Sequence, residues 1–268
     1  MDRDKQSWSF VQSFMHSRCG VILNDDQSYL MDARLTPIAD ELEYSTVHDY
    51  VAAACSAGAR REIVMKMIDA MTTHETSFFR DAAFWKALNE LILPQVIAQS
   101  ERAVPFRVWS AACSTGQEIY SLAALWLERF PELFPNVEFY ASDISEITMA
   151  KAGEGRFSLL DVNRGINAGR LLRHFEQDGT HYRIKEVLRR AVRWTPFNLL
   201  GDAPVPVPPC DLVLCRNVMI YFDKIGRERA LRHVIDAARP KGFVGVGATE
   251  MLRGTPVVAS WYAARNAG

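Results

Sequence analysis

From Phe84 onward, short apolar runs alternate with amphipathic stretches, and this rhythm restricts the chain to few architectures. Arg107–Ala112, Val137–Ser142, Asp211–Cys215 and Phe243–Ala248 read as strands, while Glu118–Arg129, Glu146–Ala152 and Arg227–Ala238 read as helices or helix starts. Strands that take turns with helices predict a parallel, doubly wound α/β sheet covered on both faces. Between these elements, Asn163–Gln177 predicts a helix ended by Asp178 and Gly179. The alternating, basic stretch Tyr182–Trp194 predicts a few antiparallel strands added to the main sheet.

The texture before Phe84 differs. From Trp8 to about Ala70, apolar residues recur at helical spacing: Phe10, Val11, Phe14 and Met15, then Leu30, Met31 and Leu35, then Val64, Met65 and Ile68. Turns are marked by Gly20 with Asn24 to Asp26, and by Ser56 with Gly58. This predicts a small all-α domain with no strand pair.

At 268 residues and 49% hydrophobic, the chain has room for one large and one small domain. Its 31 basic and 32 acidic residues nearly cancel, so no global field holds a polyanion, and nucleic acid is not an expected partner. The five cysteines (Cys19, Cys55, Cys113, Cys210, Cys215) are scattered and never form C-x-x-C, which fits reduced thiols better than disulfides or zinc. The N-terminus lacks a long apolar core, and no run reaches the roughly 18 apolar residues of a membrane span. The expectation is a cytoplasmic monomer that is neither secreted nor inserted in a membrane.

In a doubly wound sheet, ligands sit beyond the carboxyl ends of the strands, and the first loop must let backbone approach the ligand. Here the first strand runs into Ala111, Ala112, Cys113, Ser114, Thr115 and Gly116, six small residues in succession, before Gln117 and Glu118 open a helix. The next strand ends at Asp143, where a ribose diol would find an acceptor; alternatively Asp143 caps the following helix, a task Ser145 could equally perform. Ala112 and Ser114 stand where a dinucleotide loop has glycines, so a phosphate-free nucleoside suits the loop better than a nicotinamide pyrophosphate.

Four segments together resemble the chemotaxis receptor methyltransferases of the CheR type: THETSFFRD (Thr73–Asp81), ACSTGQEIYSLA (Ala112–Ala123), ASDIS (Ala141–Ser145) and LCRNVMIYFD (Leu214–Asp223). GVILN, Arg34–Leu35 and VGATEML (Val246–Leu252) add to the likeness, which covers almost the whole chain. The resemblance implies a class I (Rossmann-like) methyltransferase domain that binds S-adenosylmethionine over residues 73–268. A small all-α domain and linker would precede it over 1–72, and a small antiparallel β sub-domain would be inserted within about 156–196. By the same resemblance Thr76 and Arg80 contact the cofactor, as does His74, which stands where the family more often has Asn, and Phe78 and Phe79 pack beneath it. Glu118 and Asp143 would hold its polar parts, and Asn198 and Leu199 would border the adenine. Cys215 and Arg216 would lie beside the methyl group, with Tyr221 nearest the transfer site. His74 and Glu75 begin like a zinc helix H-E-x-x-H, but Phe78 occupies the fifth position, so no metal is expected.

The implied reaction is methyl esterification of glutamates on the cytoplasmic helical bundle of chemoreceptors. Glutamate is already an anion at neutral pH, so the lack of an obvious Ser-His or Cys-His pair fits it, and Arg80 and Tyr221 are the candidates for positioning the reactants. The Gln177–Tyr182 turn is short, with a single Gly179, which predicts a member that does not tether itself to a receptor's C-terminal pentapeptide. An amine-methylating enzyme would carry D/N-P-P-F/Y where this chain has Arg216, Asn217, Val218 and Met219. A non-catalytic scaffold would have lost Arg80, Asp143 or Tyr221, and all three are present.

Overall fold

The computed structural model describes residues 3–100 and 104–250. Helices α1 (Arg3–Cys19), α2 (Thr36–Glu41), α3 (Val47–Ala54) and α4 (Arg61–Met71) form the N-terminal region. Gly20 ends α1 with φ +65°, and the Thr46 hydroxyl caps α3 by accepting the Asp49 N–H. Their shared apolar faces bury Val11, Met15, Leu35, Tyr50, Val51 and Met67 almost completely.

Two further helices, α5 (Ala82–Ala87) and α6 (Leu93–Gln99), follow, joined by the π-helical turn Leu88–Ile92. Strand β1 (Phe106–Ala111) leads into α7 (Gln117–Arg129), β2 (Val137–Asp143) and α8 (Glu146–Glu154). Ser145 is the N-cap of α8, its hydroxyl accepting the Thr148 N–H. Next come β3 (Arg156–Ser158), α9 (Leu159–Asn163), α10 (Ala168–His174), β4 (Phe175–Asp178), β5 (His181–Ile184) and α11 (Glu186–Arg189). Then β6 (Val192–Pro196), β7 (Cys210–Cys215), α12 (Lys224–Asp236) and β8 (Ala238–Val246) complete the described chain.

Five strands form one sheet in the order β6-β2-β1-β7-β8, every neighbouring pair parallel. The chain winds outward from β1 to β2 and β6, then crosses to β7 and β8, so the order reverses between β1 and β7. Such a switch point opens a crevice at the carboxyl ends of the strands. Alternation along each strand divides the core. Trp109, Val213 and Cys215 face the N-terminal helices and α12, while Val108, Leu212 and Leu214 face α5, α6 and α7. The helical region therefore shares one continuous core with a face of the sheet.

Two expectations are corrected. The antiparallel strands β3, β5 and β4 make a separate three-stranded sheet rather than extending the main one. The alternating stretch Tyr182–Trp194 is also split by α11: its first part pairs antiparallel in the small sheet, whereas Val192–Pro196 joins the main sheet parallel to β2. The helix read over Asn163–Gln177 shrinks to α10, because Gly165 adopts φ +112° before it and Phe175 turns extended after it. The stretch 82–99, which carried no helix assignment in the sequence, is helical. No described helix is long and apolar enough to cross a membrane.

The inserted sheet is bolted to the segment before α5. A Cβ on Gly165 would lie 1.8 Å from the Phe78 carbonyl oxygen, so only glycine admits that approach. Phe78 in turn packs edge-on against Phe157 of β3 and Phe175 of β4. Gly165→Ala is expected to lower the unfolding free energy by about 2 kcal/mol, since both the dihedral and the contact must give. Equilibrium urea unfolding measures this, and an unchanged midpoint would contradict the close approach.

Candidate functional site

A cleft of about 1040 Å³, its mouth included, opens at the switch point. Its walls come from the loops after β1, β2, β6 and β7 and from residues 72–80.

The loop after β1 is held in an unusual shape. Ala112, Ser114 and Gly116 have φ of +56°, +51° and +88°, a left-handed conformation that small residues tolerate best. This shape presents the Ser114 N–H to Asp143, whose Oδ2 accepts it at 2.8 Å, while Asp143 Oδ1 accepts the Ser145 N–H at 3.0 Å. Burial pushes the Asp143 carboxyl up, against these N–H donors that favour its ionised form. A carboxylate offers about four acceptor positions, so capacity remains for a ligand hydroxyl. Both roles read from the sequence are thus divided: Ser145 caps α8, and Asp143 fastens the loops together at the cleft wall.

Residues 72–81 form a strap across this loop. The Ser114 hydroxyl donates to the His74 carbonyl at 3.0 Å, and the Phe79 N–H donates to Ser121 Oγ at 3.0 Å. Phe79 and Asp81 also take positive φ, of +50° and +67°. Thr76 and Arg80 line the cleft, and the Arg80 guanidinium donates to the Glu75 carbonyl at 2.9 Å. Phe78 and Phe79 are not among the residues that line the cleft. Phe78 is turned into the inserted sheet, and Phe79 packs on Trp85 with the Arg170 guanidinium 3.7 Å from its ring centre.

At the end of β7, Arg216 is buried and reaches three elements. It donates to Glu118 Oε2 at 3.0 Å and to the Arg80 carbonyl at 3.0 Å, and it stacks 4.0 Å from the Phe84 ring centre. Glu118 Oε1 accepts the Ser110 hydroxyl at 2.8 Å. Glu118 and Arg216 both line the cleft, but much of their bonding capacity goes to this internal pair. Arg216 Nε is buried without a partner among the described residues. An unsatisfied buried donor in a cleft wall suits a ligand that brings an acceptor.

The remaining expected residues are placed as follows. Asn198 and Leu199 line the cleft beside Phe197, and the Asn198 side chain also ties the loop to α1 by donating to the Arg18 carbonyl at 2.7 Å. Tyr221 also lines the cleft, with Phe222. Cys215 is completely buried in β7 and stands behind the wall rather than in it. Burial pushes the thiols of Cys113 and Cys215 far up, and those of Cys19 and Cys210 to about 12, so none is a ready nucleophile.

Sequence reading passed over Asp69. From α4 its carboxylate accepts the hydroxyls of Ser145 and of Thr148, the latter at 2.7 Å, and it lies 3.4 Å from His74 Nε2. His74 also contacts the Asp69 carbonyl at 2.8 Å and Thr72 Oγ1 at 3.2 Å. Its side chain is therefore committed to the join between the helical region and α8, even though it borders the cleft. No local pattern in the sequence marks Asp69, because two of its partners, Ser145 and Thr148, lie more than seventy residues away.

The cleft thus combines apolar walls from Phe197, Leu199 and Ile144, an acceptor at Asp143 and cationic groups at Arg80 and Arg216. These match the purine, the ribose diol and the amino-acid carboxylate of an adenosyl amino acid. Among the described residues, no group of three or more His, Cys, Asp or Glu is gathered to hold a metal ion.

Comparison with known proteins agrees with this chemistry. Residues 74–266 match the model of the CheR methyltransferase, SAM-binding domain. A chemotaxis protein methyltransferase of Vibrio parahaemolyticus is 34% identical over 253 residues, which cover 93% of this chain and 90% of that protein. Chemotaxis protein methyltransferase 1 of Pseudomonas aeruginosa is 32% identical over 263 residues, covering 96% and 94%.

The Asp69–His74 pair gives the fold a pH signature. Burial lowers the His74 pKa, but hydrogen bonding and charge from Asp69, with Asp143 adding to it, outweigh burial and leave it above its ordinary 6.5. Stability from His74 is complete below its unfolded value and is lost as pH rises through the higher folded value. Burial raises the Asp69 pKa, but bonds from His74, Ser145 and Thr148 bring it well below 3.8, so its contribution is lost only on acidification through the folded value. The melting temperature of wild type should therefore exceed that of His74→Asn most near about pH 6, and the gap should narrow toward about pH 9. A constant gap across thermal melts would contradict the pairing.

Proposed function

The chain belongs to the CheR methyltransferase family and binds S-adenosylmethionine, and on that premise we propose that it methylates specific glutamate carboxylates on the cytoplasmic helical bundle of chemoreceptors. The observation that carries this reading is the cleft at the switch point, which Asp143, Arg80, Arg216 and Tyr221 all line.

When bound, the cofactor supplies an activated methyl group on a sulfonium centre. The acceptor needs no deprotonation in the site, since a glutamate with a pKa of about 4.3 arrives as an anion. This agrees with a cleft whose Cys19 and Cys113 thiols are held protonated by burial. Methyl transfer from sulfonium to carboxylate removes two opposite charges, so a cleft that excludes water does not oppose it. The protein's task is orientation, which can supply several kcal/mol when reacting atoms are held in line at about 3 Å. Asp143 is suited to fix the ribose, and Arg80 and Tyr221 the reacting end. Arg80 is braced for this by its bond to Glu75 and by the strap's ties to Ser114 and Ser121.

The turn joining β4 to β5 bears on substrate capture. Asp178 pairs with His181, leaving Gly179 and Thr180 as a two-residue turn, and Arg156 and Arg183 both pair with Asp178. Such a short hairpin, with both arginines engaged by Asp178, supports a member that acts without tethering to a C-terminal pentapeptide. A monomer acting on receptor arrays from the cytoplasm is the accompanying proposal.

Incubating the protein with methyl-labelled S-adenosylmethionine and receptor-bearing membranes should give protein label that is released by mild base, as an ester is. Base-stable label, or label in nucleic acid or a small molecule, would overturn the glutamate assignment. Arg80→Ala should lower turnover by more than about tenfold in the same assay, and near-normal turnover would remove Arg80 from the mechanism.

A further inference from the structure

Glu250 stands 33 residues beyond Asn217, outside every element that lines the cleft, and its carboxylate is buried at 8% exposure. It accepts four backbone N–H groups. Oε1 takes those of Val218 and Met219 at 2.8 and 2.7 Å, and Oε2 takes those of Asn217 and Gly247 at 2.8 and 2.7 Å. A carboxylate has about four acceptor positions, so this arrangement uses all of them. Three of the donors are successive residues of the loop after β7, which begins with Asn217 at φ +63°. Such a run of converging N–H groups is an anion nest, and here the anion is a side chain of the same protein. The approach is so close that a Cβ on Gly247 would lie 2.6 Å from Glu250 Oε2 and 3.0 Å from Asn217 N.

The loop so held carries one wall of the cleft. Asn217 and Val218 line it, and the turn Met219–Tyr221 is laid on Val218 by the bond from the Tyr221 N–H to the Val218 carbonyl at 3.1 Å. Arg227 adds a clamp from α12, donating to the carbonyls of Met219 and Phe222. The path from Glu250 to Tyr221 therefore passes through one backbone turn.

We propose that Glu250 is a positioning residue for methyl transfer: its carboxylate fixes the Asn217–Met219 backbone and thereby places Tyr221 at the reacting end of the cleft. The inference rests on the methyltransferase reading and adds to it a residue that never touches the cofactor or the acceptor. Glu250→Gln keeps size and shape but turns one acceptor oxygen into a donor amide facing two N–H groups. Glu250→Asp keeps the charge and shortens the reach by one methylene.

The test uses the full chain, with kcat expressed per site titrated by S-adenosylhomocysteine, so that unfolded protein does not count. Glu250→Gln should lower kcat by about tenfold or more, since small misplacements at a reacting centre are costly. Its Kd for S-adenosylhomocysteine should stay within about threefold, an interaction lost in the transition state and kept in the ground state. Glu250→Asp should recover part of kcat. Amide hydrogen exchange at Val218 and Met219 should quicken in both variants, while exchange in β1 stays slow. Wild-type kcat per site in Glu250→Gln overturns the proposal, as does a kcat loss with unchanged exchange at those two amides. Should Glu250→Gln not fold, Glu250→Asp carries the same test: wild-type kcat and exchange there overturn it. Failure of the wild-type protein to bind S-adenosylhomocysteine would strike the methyltransferase reading instead.

Discussion

The buried guanidinium of Arg216 joins the parts on which the cleft depends. It leaves the end of β7, pairs with Glu118 on α7 and holds the Arg80 carbonyl of the strap, with the Phe84 ring beneath it. A charge withdrawn from water is tolerated only when its partners replace the lost hydration, and removing one partner of such a pair is far more costly than its presence is beneficial. The sheet, the first helix after the loop and the strap are thereby held to one geometry. The cleft can be open to a ligand and still be rigid on three sides.

The site is also a place of concentrated backbone strain. Ala112, Ser114, Phe79, Asp81 and Asn217 all adopt left-handed dihedrals, and all lie in the strap or in the loops at the ends of β1 and β7. Residues held in sparsely populated conformations persist only when their surroundings determine them strongly. Here the determining contacts are visible: Asp143 for Ser114, Ser121 for Phe79 and Glu250 for Asn217. Each is a side chain that secures a backbone group belonging to a different element.

Much of this organisation was legible in the sequence, for physical reasons that also explain the gaps. β1, β2 and β7 are buried on both faces, so their residues form apolar runs that stand out. β6 lies at the sheet's edge and carries Arg193 and Thr195, which gave it the look of a solvent-facing antiparallel strand. The small-residue loop and Asp143 announced a nucleoside cleft because their chemistry is local to strand ends. Thr76, Arg80, Arg216 and Tyr221 were reached through family likeness, and all four line the cleft. Asp69 and Glu250 were missed because a carboxylate that works across dozens of residues leaves no periodic trace. Phe78 and Phe79 pack against Phe157, Phe175 and Trp85, contacts that the local sequence does not announce.

The central pairing has a consequence for how the molecule is made. The two strands that flank the crevice are far apart in the chain: the Arg107 N–H is accepted by Asp211, 104 residues later. Closing so long a loop is entropically unfavourable until the intervening elements have packed, and parallel pairings of this kind are slow to form. On the ribosome, a nascent chain that ends short of β7 has no second wall to its crevice. The adenosyl ligand can therefore add its stabilisation only once synthesis has passed that strand, so it acts as a reward for completion rather than as a guide to early folding.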